Sequence, residues 1–216
     1  MIWLGIITSL ANFWIWRVFK ENLLIGVGLL LLSLTLNLLV IKFNKKVLIL
    51  TVVLTLFISS QLLRFGFDKN LTVLTVDGEK QLNERHGYFS QELGILFQNK
   101  YTLRFYKDFY PYANVYLDNL FNNLSPNLYF FENHPRERGK VDEFAKYPGI
   151  FIIPFLVGFL LLFKSIPKVF GWYFLLALLI SGLIRPNYLS GPVLFYPAIN
   201  FLITTGLFKI YRIFRK

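Results

Sequence analysis

The sequence predicts an α-helical integral membrane protein with about six transmembrane helices and a mainly helical extracytoplasmic insert between the third and the fourth. Three observations favour this class. Residues 1–64 and 148–208 consist mostly of long apolar runs, whereas residues 65–147 are rich in polar and aromatic side chains. The mean hydropathy is +0.52 and 19% of the residues are aromatic, which favours a membrane domain. Basic residues flank the apolar runs, and residues 209–216 form a basic tail predicted to be cytoplasmic.

The net charge of +11 arises outside the central insert. Residues 64–147 contain eleven Lys or Arg and eleven Asp or Glu, so this stretch is neutral. Nucleic-acid-binding proteins concentrate positive charge on one binding face. Here the charge pattern is typical of the short loops of a membrane protein, which predicts membrane lipids as partners and no nucleic acid. The basic residues beside the apolar segments are Arg17, Lys20, Lys42, Lys45, Lys46, Lys164, Lys168, Arg185, Lys209, Arg212, Arg215 and Lys216.

Three apolar segments precede the insert. Ile2–Trp16 is shorter than the roughly 20 residues that cross a bilayer comfortably, so it is predicted either as a first span or as an uncleaved signal-like or interfacial segment. A cleaved signal peptide is disfavoured because no basic residue precedes the segment. Asn22–Ile41 is rich in Leu and carries no charge, and it is predicted as the second span. Val47–Leu63 is predicted as the third.

Three further apolar segments follow the insert. Pro148–Phe163 and Val169–Ile184 each cover only about 24 Å as helices, so flanking Lys, Tyr and Trp side chains have to reach the membrane interface. Arg185–Asn187 is predicted as a tight turn. Tyr188–Phe208 is predicted as the last span and is interrupted by two prolines.

The distribution of basic residues predicts the orientation of these spans. If Lys42–Lys46 lie in the cytoplasm, nine Lys and Arg of the short loops and the tail are inside. Three are then outside, namely Arg17, Lys20 and Arg185. Positive residues are enriched in cytoplasmic loops, so residues 65–147 are predicted to be extracytoplasmic in a multi-pass protein of the cell membrane.

Local patterns within the insert predict its secondary structure. The β-branched run Leu71–Val76, followed by Asp77–Gly78, predicts a strand and a turn. Two stripes repeat every fourth residue and predict amphipathic helices at the membrane surface or packed on the spans, although an ordinary core face is equally consistent with them. The first stripe begins after a possible cap at Ser90 and the second after Pro111. Their residues are Leu93, Phe97, Tyr101, Phe105 and Phe109, then Tyr112, Tyr116, Leu120 and Leu124.

The densest polar cluster of the chain occupies residues 130–139. Arg136 and Arg138 are predicted to bind a phosphate group, because guanidinium groups form paired, charge-assisted hydrogen bonds to phosphate. His134 and Glu137 are candidates for proton transfer. The alternative is a solvated loop whose charges pair with the acidic residues that follow it.

Several classes of site are disfavoured. The chain has no Cys, and its two histidines, His86 and His134, lie far apart in sequence, so no metal site is predicted. There is no phosphate-cradling glycine loop, nucleophile elbow or Walker motif, and no cofactor is predicted. A transporter is disfavoured because Asn37 and Asn200 are the most polar side chains deep in the predicted spans, with no charge to mark an ion path.

Three stretches, Tyr112–Phe131, Gly149–Phe163 and Arg185–Leu207, share a pattern of aromatic residues and prolines around membrane spans. The first contains a Leu-Ser-Pro run and the second the sequence IPFLVG, which ends at Gly158; the third carries Arg185, Pro197 and Gly206 in that order. Together they resemble the C-terminal half of bacterial polytopic glycosyltransferases of the dolichyl-phosphate-mannose protein mannosyltransferase-like family, which use polyprenyl-phosphate sugars.

The resemblance does not extend to the N-terminal half of those enzymes. In that half, the first extracytoplasmic loop carries the catalytic acidic residues. Here only Arg17–Asn22 precedes the second span, and Glu21 is its lone carboxylate. No catalytic residue is carried over, and whether the chain is an enzyme stays open. The resemblance implies an accessory or split subunit in extracytoplasmic glycan or lipid-linked sugar metabolism, working with a catalytic membrane partner. Arg136, Arg138 and Arg185 would hold the polyprenyl-phosphate sugar. The alternative is a non-catalytic structural membrane subunit that binds a protein partner.

Overall fold

The computed structural model describes residues 2–41, 43–73, 76–92, 99–131, 145–164, 167–185 and 188–215. This part of the chain is almost entirely helical and contains no strand, which confirms the predicted α-helical class. The helices are α1 (Ile2–Leu10), α2 (Phe13–Glu21), α3 (Leu23–Ile41), α4 (Lys45–Gly66), α5 (Val76–Glu92), α6 (Lys100–Arg104), α7 (Tyr110–Leu124), α8 (Asn127–Phe130), α9 (Ile152–Lys164), α10 (Lys168–Ser181) and α11 (Tyr196–Phe214).

Three helical segments among the described residues are long and apolar enough to cross a membrane: Leu23–Val40, Lys45–Gly66 and Val193–Phe214. They support the prediction of a membrane protein. Two shorter apolar helices, Gly149–Leu162 and Lys168–Ser181, accompany them. Of the three long segments, Val193–Phe214 is 72% buried and Lys45–Gly66 only 28%. The last helix, α11, is therefore central, with α1, α3 and α9 packed around it, and α4 lies at the periphery against α3.

The first apolar segment forms two helices of nine residues each. Asn12 separates them and serves both. Its side-chain oxygen accepts a hydrogen bond from the backbone N–H of Ile15 (3.0 Å), which caps the start of α2. Its amide group donates to the carbonyl oxygens of Thr8 (3.0 Å) and Ser9 (2.9 Å) at the end of α1. Asn12 thus forms hydrogen bonds with backbone groups at the end of α1 and at the start of α2 that lack a partner within their own helix. The segment Ile2–Trp16 is therefore not one continuous helix.

The described start of the insert departs from the predicted strand and turn. Leu71 lies in a short 3₁₀ turn, Lys69–Leu71, and Val76 begins helix α5. Asp77–Gly78 and the predicted cap Ser90 lie inside that helix. The side chain of Asp68 accepts a hydrogen bond from the N–H of Asn70 (3.1 Å), which favours the turn over an extended chain. Strand preference depends on a neighbouring strand, and the described part of the chain provides none.

The two predicted aromatic stripes join in one helical stretch. A wide helical turn over Phe105–Phe109 connects α6 to α7, and Pro111 follows directly. Proline lacks an N–H and crowds the preceding turn of a helix. The widened turn before Pro111 makes room for the proline ring, so the helical stretch continues through it. Tyr101, Phe105 and Phe109 are exposed, so the first stripe does not form a core face in the described residues. Leu93 and Phe97 lie outside the described residues.

The buried face of α7 is polar. Asn119 and Asn123 are buried, whereas Leu124 is exposed and Leu120 only partly buried. Of the predicted stripe, Tyr116 contacts the end of α10, where its hydroxyl donates to the carbonyl of Leu179, so this part of the stripe packs against an apolar helix.

Candidate functional site

The ends of α4 and α10 meet, and we refer to this region, together with α7 and residues 182–194, as the α4–α10 end. The backbone N–H of Arg185 donates to the carbonyl of Gly66 (2.9 Å), and that of Asp68 donates to the carbonyl of Leu183 (3.0 Å). The residues between these contacts form an isolated antiparallel bridge. Two apolar helices that are distant in sequence are thus joined by paired backbone at one end.

Side chains of α7 satisfy the last carbonyl groups of α10. The final carbonyls of a helix have no partner within the helix, so a buried helix end needs donors from elsewhere. Residues spaced three and four apart on α7 lie on one face and supply these donors. The hydrogen bonds run from the Tyr116 hydroxyl to Leu179 O (3.1 Å), from Asn119 Nδ2 to Gly182 O (3.3 Å) and from Asn123 Nδ2 to Ser181 O (3.2 Å).

Asp68 is a buried carboxylate in the same region. Asn119 Nδ2 donates to its Oδ2 (3.0 Å), and the backbone N–H of Asn70 donates to its Oδ1 (3.1 Å). Asn119 therefore bridges Asp68 and the end of α10. A buried carboxylate needs such donors because the loss of its hydration is costly.

A small cleft opens between α4, α7 and the end of α10. The volume open to the centre of a water molecule is about 10 Å³, roughly the least that holds one water. Two buried polar atoms on its lining residues, Asn123 Oδ1 and Ser181 Oγ, have no hydrogen-bond partner among the described residues. These side chains are 1% and 2% exposed. The lining residues are Leu62, Asn123, Ser181, Ile184, Arg185, Gly191, Pro192, Val193 and Leu194.

Arg185, predicted as a phosphate ligand, lines this cleft and is exposed. Its Nη2 donates to the carbonyl oxygen of Phe65 (3.1 Å) at the end of α4. This contact gives the side chain a structural role, and a guanidinium group has four further N–H donors. The other predicted site residues, Arg136, Arg138, His134 and Glu137, lie outside the described residues.

Residues 188–191 follow Arg185 and adopt an unusual backbone. Leu189 has φ 52° and ψ 38°, a left-handed conformation that is unfavourable for a leucine. Gly191 has φ 122°, which favours glycine. A Cβ on Gly191 would also lie 2.8 Å from Cε of Lys146, so the glycine lets the chain pass directly over that side chain.

Lys146 is buried beneath Gly191 and joins three segments. Its Nζ donates to the carbonyl of Leu128 (2.8 Å) and lies 5.5 Å from the centre of the Trp14 ring. Its carbonyl oxygen accepts from the N–H groups of Phe13 (3.1 Å) and Trp14 (3.3 Å) at the start of α2. Burial, together with a smaller effect of the positive charge on Arg17, lowers the pKa of Lys146 to about 8.

Trp14 is also the centre of a buried aromatic cluster. It contacts Tyr129, Tyr147 and Tyr196, with ring centres 5.7, 6.3 and 5.9 Å away. Tyr147 follows Lys146 directly, and its N–H donates to the carbonyl of Tyr129 (2.9 Å). Burial raises the pKa of Tyr147 well above its ordinary value, so its hydroxyl stays protonated and can donate.

A chain of hydrogen bonds leads from Tyr147 into the helix bundle. The Tyr147 hydroxyl donates to Asn200 Oδ1 (3.1 Å), Asn200 Nδ2 donates to Ser33 Oγ (3.4 Å), and Ser33 Oγ lies 3.0 Å from Ser9 Oγ. Asn200, one of the two polar residues noted in the predicted spans, thus links α11 to α3. Asn37, the other, donates to the carbonyl of Ser33 within its own helix (2.9 Å). Such contacts are typical of helix association in membranes.

Sequence reasoning identified Arg185 but missed the residues around it. Asn123 and Ser181 were not selected from the sequence, because their unpaired atoms are visible only in three dimensions. Lys146 lies at the end of the insert, directly before Tyr147 and the next apolar segment. That position was the one feature of the sequence that could have singled it out. Among the described residues, no group of three or more His, Cys, Asp or Glu side chains is arranged to hold a metal ion.

Comparison of the chain with known protein families, with known proteins and with solved structures finds no match. The resemblance to polytopic glycosyltransferases therefore stays a prediction.

Proposed function

We propose that this chain is an accessory or split subunit in extracytoplasmic glycan or lipid-linked sugar metabolism, and that it binds a polyprenyl-phosphate headgroup at the α4–α10 end. The observation that carries the proposal is the position of Arg185, which is exposed at the end of two apolar helices beside a cleft with unpaired polar atoms. An arginine at a helix end of this kind lies at headgroup depth when the helix crosses a bilayer. The proposal includes six spans, with residues 65–147 extracytoplasmic.

Positive charge from separate segments supports this proposal. Arg17 on α2 lies close enough to Lys146 to lower its pKa, and Arg185 and Glu21 both lie close enough to Tyr188 to affect the ionisation of that phenol. Positive side chains from three parts of the chain, with one carboxylate among them, therefore lie near residues 188–191. The positive charges favour a phosphate group there.

Arg136 and Arg138 lie in sequence between Phe131 and Ala145, outside the described residues. On either side of that stretch, Tyr147 N–H donates to the carbonyl of Tyr129, and Lys146 beneath Gly191 donates to the carbonyl of Leu128. We propose that both arginines join Arg185 on the phosphate, with His134 and Glu137 as the candidates for proton transfer.

The competing proposal is a structural membrane subunit that binds a protein partner. The hydrogen bond from Arg185 to the carbonyl of Phe65 favours it, because that contact alone explains an arginine at this position. The little-buried α4 also leaves an apolar face for lipid or for another membrane helix. The two proposals differ in whether Arg185 contributes to ligand binding.

The test measures binding of labelled polyprenyl phosphate to the purified full-length chain in detergent. Each charge-assisted contact is worth on the order of 1.5–3 kcal/mol, so the triple variant Arg136→Ala/Arg138→Ala/Arg185→Ala should bind at least tenfold more weakly. The control variant Arg85→Ala/Arg104→Ala/Lys107→Ala removes three exposed positive charges from α5, α6 and the wide turn, and it should bind like wild type.

A further substitution separates the two roles of Arg185. Arg185→Lys can retain one hydrogen bond to Phe65 O but not the paired contact of a guanidinium with phosphate. Weaker lipid binding with unchanged thermal stability supports the headgroup site. Equal affinity in wild type and the triple variant, with the fold intact, removes the site and favours the structural subunit.

A further inference from the structure

An exposed apolar stripe runs along the helical stretch from α6 through the wide turn to α7. Its side chains lie three, four or eight residues apart along the sequence, and Tyr101 and Phe121 are 82% and 64% exposed. The stripe continues the first predicted one through Leu117 and Phe121, which neither predicted stripe contained. Its members are Tyr101, Phe105, Phe109, Leu117, Phe121 and Leu124.

The wide turn over Phe105–Phe109 keeps this stripe on one side of the helical stretch. An α-helix rotates by about 100° per residue, so an unbroken α-helix would place Phe121 about 200° away from Tyr101, on the opposite side. A wide turn contains one extra residue, which sets this rotation back by about 100°. The stripe therefore stays within one half of the helix surface over a length of roughly 35 Å.

Helix α7 has two exposed sides of opposite character. The three side chains that donate to the last carbonyls of α10 fix its docked side. Asp118 and Asn122 are exposed on a second side, and Leu117 and Phe121 are exposed on a third. A helix with a polar exposed side next to an apolar exposed side is typical of a membrane surface, where one side meets water and the other meets lipid.

Positive charge accompanies the aromatic half of the stripe. Lys100, Arg104 and Lys107 are exposed among these aromatic side chains. Residues 100–109 contain these three basic residues and one carboxylate, so their net charge is +2. The carboxylate belongs to Asp108, which lies 3.5 Å from Nε of Arg104. Aromatic rings combined with positive charge suit a lipid surface that carries anionic headgroups.

The exposed apolar surface of α10 reaches the point at which α7 is docked. Leu179 is exposed, and its carbonyl oxygen accepts the hydrogen bond from Tyr116. Leu175 and Leu176, one turn earlier in this apolar helix, are exposed as well. A bilayer that covers these leucines extends to α7, so the structure favours lipid over a protein partner as the occupant of the stripe.

We propose that the exposed stripe lies on a bilayer that contains anionic phospholipids, with its aromatic side chains at the depth of the headgroups and Lys100 and Lys107 beside lipid phosphates. This contact goes beyond the proposed function, because it involves neither the cleft nor Arg185. It holds the described part of the insert against the membrane surface.

The experiment uses the full chain in vesicles of equal parts phosphatidylcholine and phosphatidylglycerol. In this Cys-free chain, Phe105→Cys and Phe121→Cys are labelled one at a time with a small fluorophore. Both side chains are exposed, so their replacement should not unfold the protein. A nitroxide on the upper acyl chain lies within the roughly 5–10 Å that a surface helix reaches, so it should quench both labels about twofold or more. A water-soluble neutral nitroxide should have little effect on them.

Asp118→Cys and Asn122→Cys are the matched controls, because these residues lie on the polar exposed side of the same helix. The water-soluble nitroxide should quench their labels, and the lipid nitroxide should have little effect. Equal quenching of Phe121→Cys and Asn122→Cys by the water-soluble nitroxide would show that the stripe faces water and would overturn the proposal. Protection of Phe105→Cys and Phe121→Cys from both quenchers would show that protein, such as a second copy of this chain, covers the stripe, and would equally overturn it.

The preference for anionic lipid has its own test. In the Phe105→Cys chain, Lys100→Gln/Lys107→Gln should reduce quenching by the lipid nitroxide towards the value measured in phosphatidylcholine alone. Lys80→Gln/Arg85→Gln removes two exposed positive charges from α5 and should leave the quenching unchanged. Equal quenching in both double variants, or in vesicles with and without phosphatidylglycerol, would show that the stripe does not recognise anionic lipid and that the proposal is wrong.

Discussion

Gly206 of α11 lies directly against the carbonyl oxygen of Pro154 in α9, and a Cβ built on this glycine would overlap that oxygen. Gly158 of α9 has the same relationship to the carbonyl of Leu202. The two helices therefore approach backbone to backbone, as small residues allow in membrane proteins. These residues belong to the pattern that suggested the glycosyltransferase resemblance, and their spacing has a packing explanation that is independent of function.

The first prediction concerns this contact. Gly206→Ala and Gly158→Ala should each destabilise the protein by about 1–3 kcal/mol or more, because the helices have to separate to admit a methyl group. Gly87→Ala is the control, since a Cβ there meets nothing within 4 Å on exposed α5. It should be neutral or stabilising by about 0.5–1 kcal/mol. Thermal unfolding in detergent measures all three, and wild-type stability of Gly206→Ala would contradict the packing of α9 on α11.

The second prediction concerns the pH dependence contributed by Lys146. Its pKa is lowered from 10.5 to about 8, so between these values the unfolded chain binds the proton and the folded chain does not. The contribution of Lys146 to stability should therefore rise with pH from about 8 to 10.5, by up to about 1.4 kcal/mol per pH unit.

Lys146→Met tests this by removing the charge while keeping the length of the side chain. As the pH rises across that range, the unfolding free energy of wild type should increase relative to that of Lys146→Met. Lys107→Met, at an exposed position, is the control for loss of a positive charge. A constant difference from about pH 7 to 10.5 would show that Lys146 keeps its ordinary titration in the folded protein.

The third prediction concerns Asn119. Asn119→Leu should destabilise the protein by about 1–3 kcal/mol, because it leaves Asp68 Oδ2 and the carbonyl of Gly182 without this donor. Asn122→Leu, on the exposed side of α7, should change stability by less than about 0.5 kcal/mol. Chemical unfolding in mixed detergent compares the two, and equal stabilities would argue against the docking of α7 on α10.

The fourth prediction concerns topology. In this Cys-free chain, a membrane-impermeant thiol reagent should label Asn83→Cys in intact cells and should label Lys45→Cys only after permeabilisation. Both positions are exposed, so access to the membrane side decides the result. The reverse pattern would place residues 65–147 in the cytoplasm and overturn the orientation inferred from the basic residues.

The sequence by itself determined the parts of the fold that depend on local composition. Asn22–Ile41 was predicted within one residue at its start because an uninterrupted run of about 20 apolar residues has one stable form in a membrane, a helix that satisfies its own backbone. The aromatic stripes likewise predicted helices on both sides of Pro111. Arg185 could be selected because a charged residue at the end of an apolar run is visible without a structure.

Only the tertiary structure decided which polar residues matter. Asn119 and Asn123 are buried on α7 because the last carbonyls of α10 lie against them and accept their hydrogen bonds, and these carbonyls are about sixty residues away in sequence. Asn12 divides the first apolar segment because its side-chain amide can form hydrogen bonds with the end of one helix and the start of the next when the chain turns there. Asn123 and Ser181, which are far apart in sequence, line one cleft and each have a buried polar atom without a partner among the described residues. Hydrogen-bond satisfaction is a property of the assembled chain, so local sequence patterns could not reveal it.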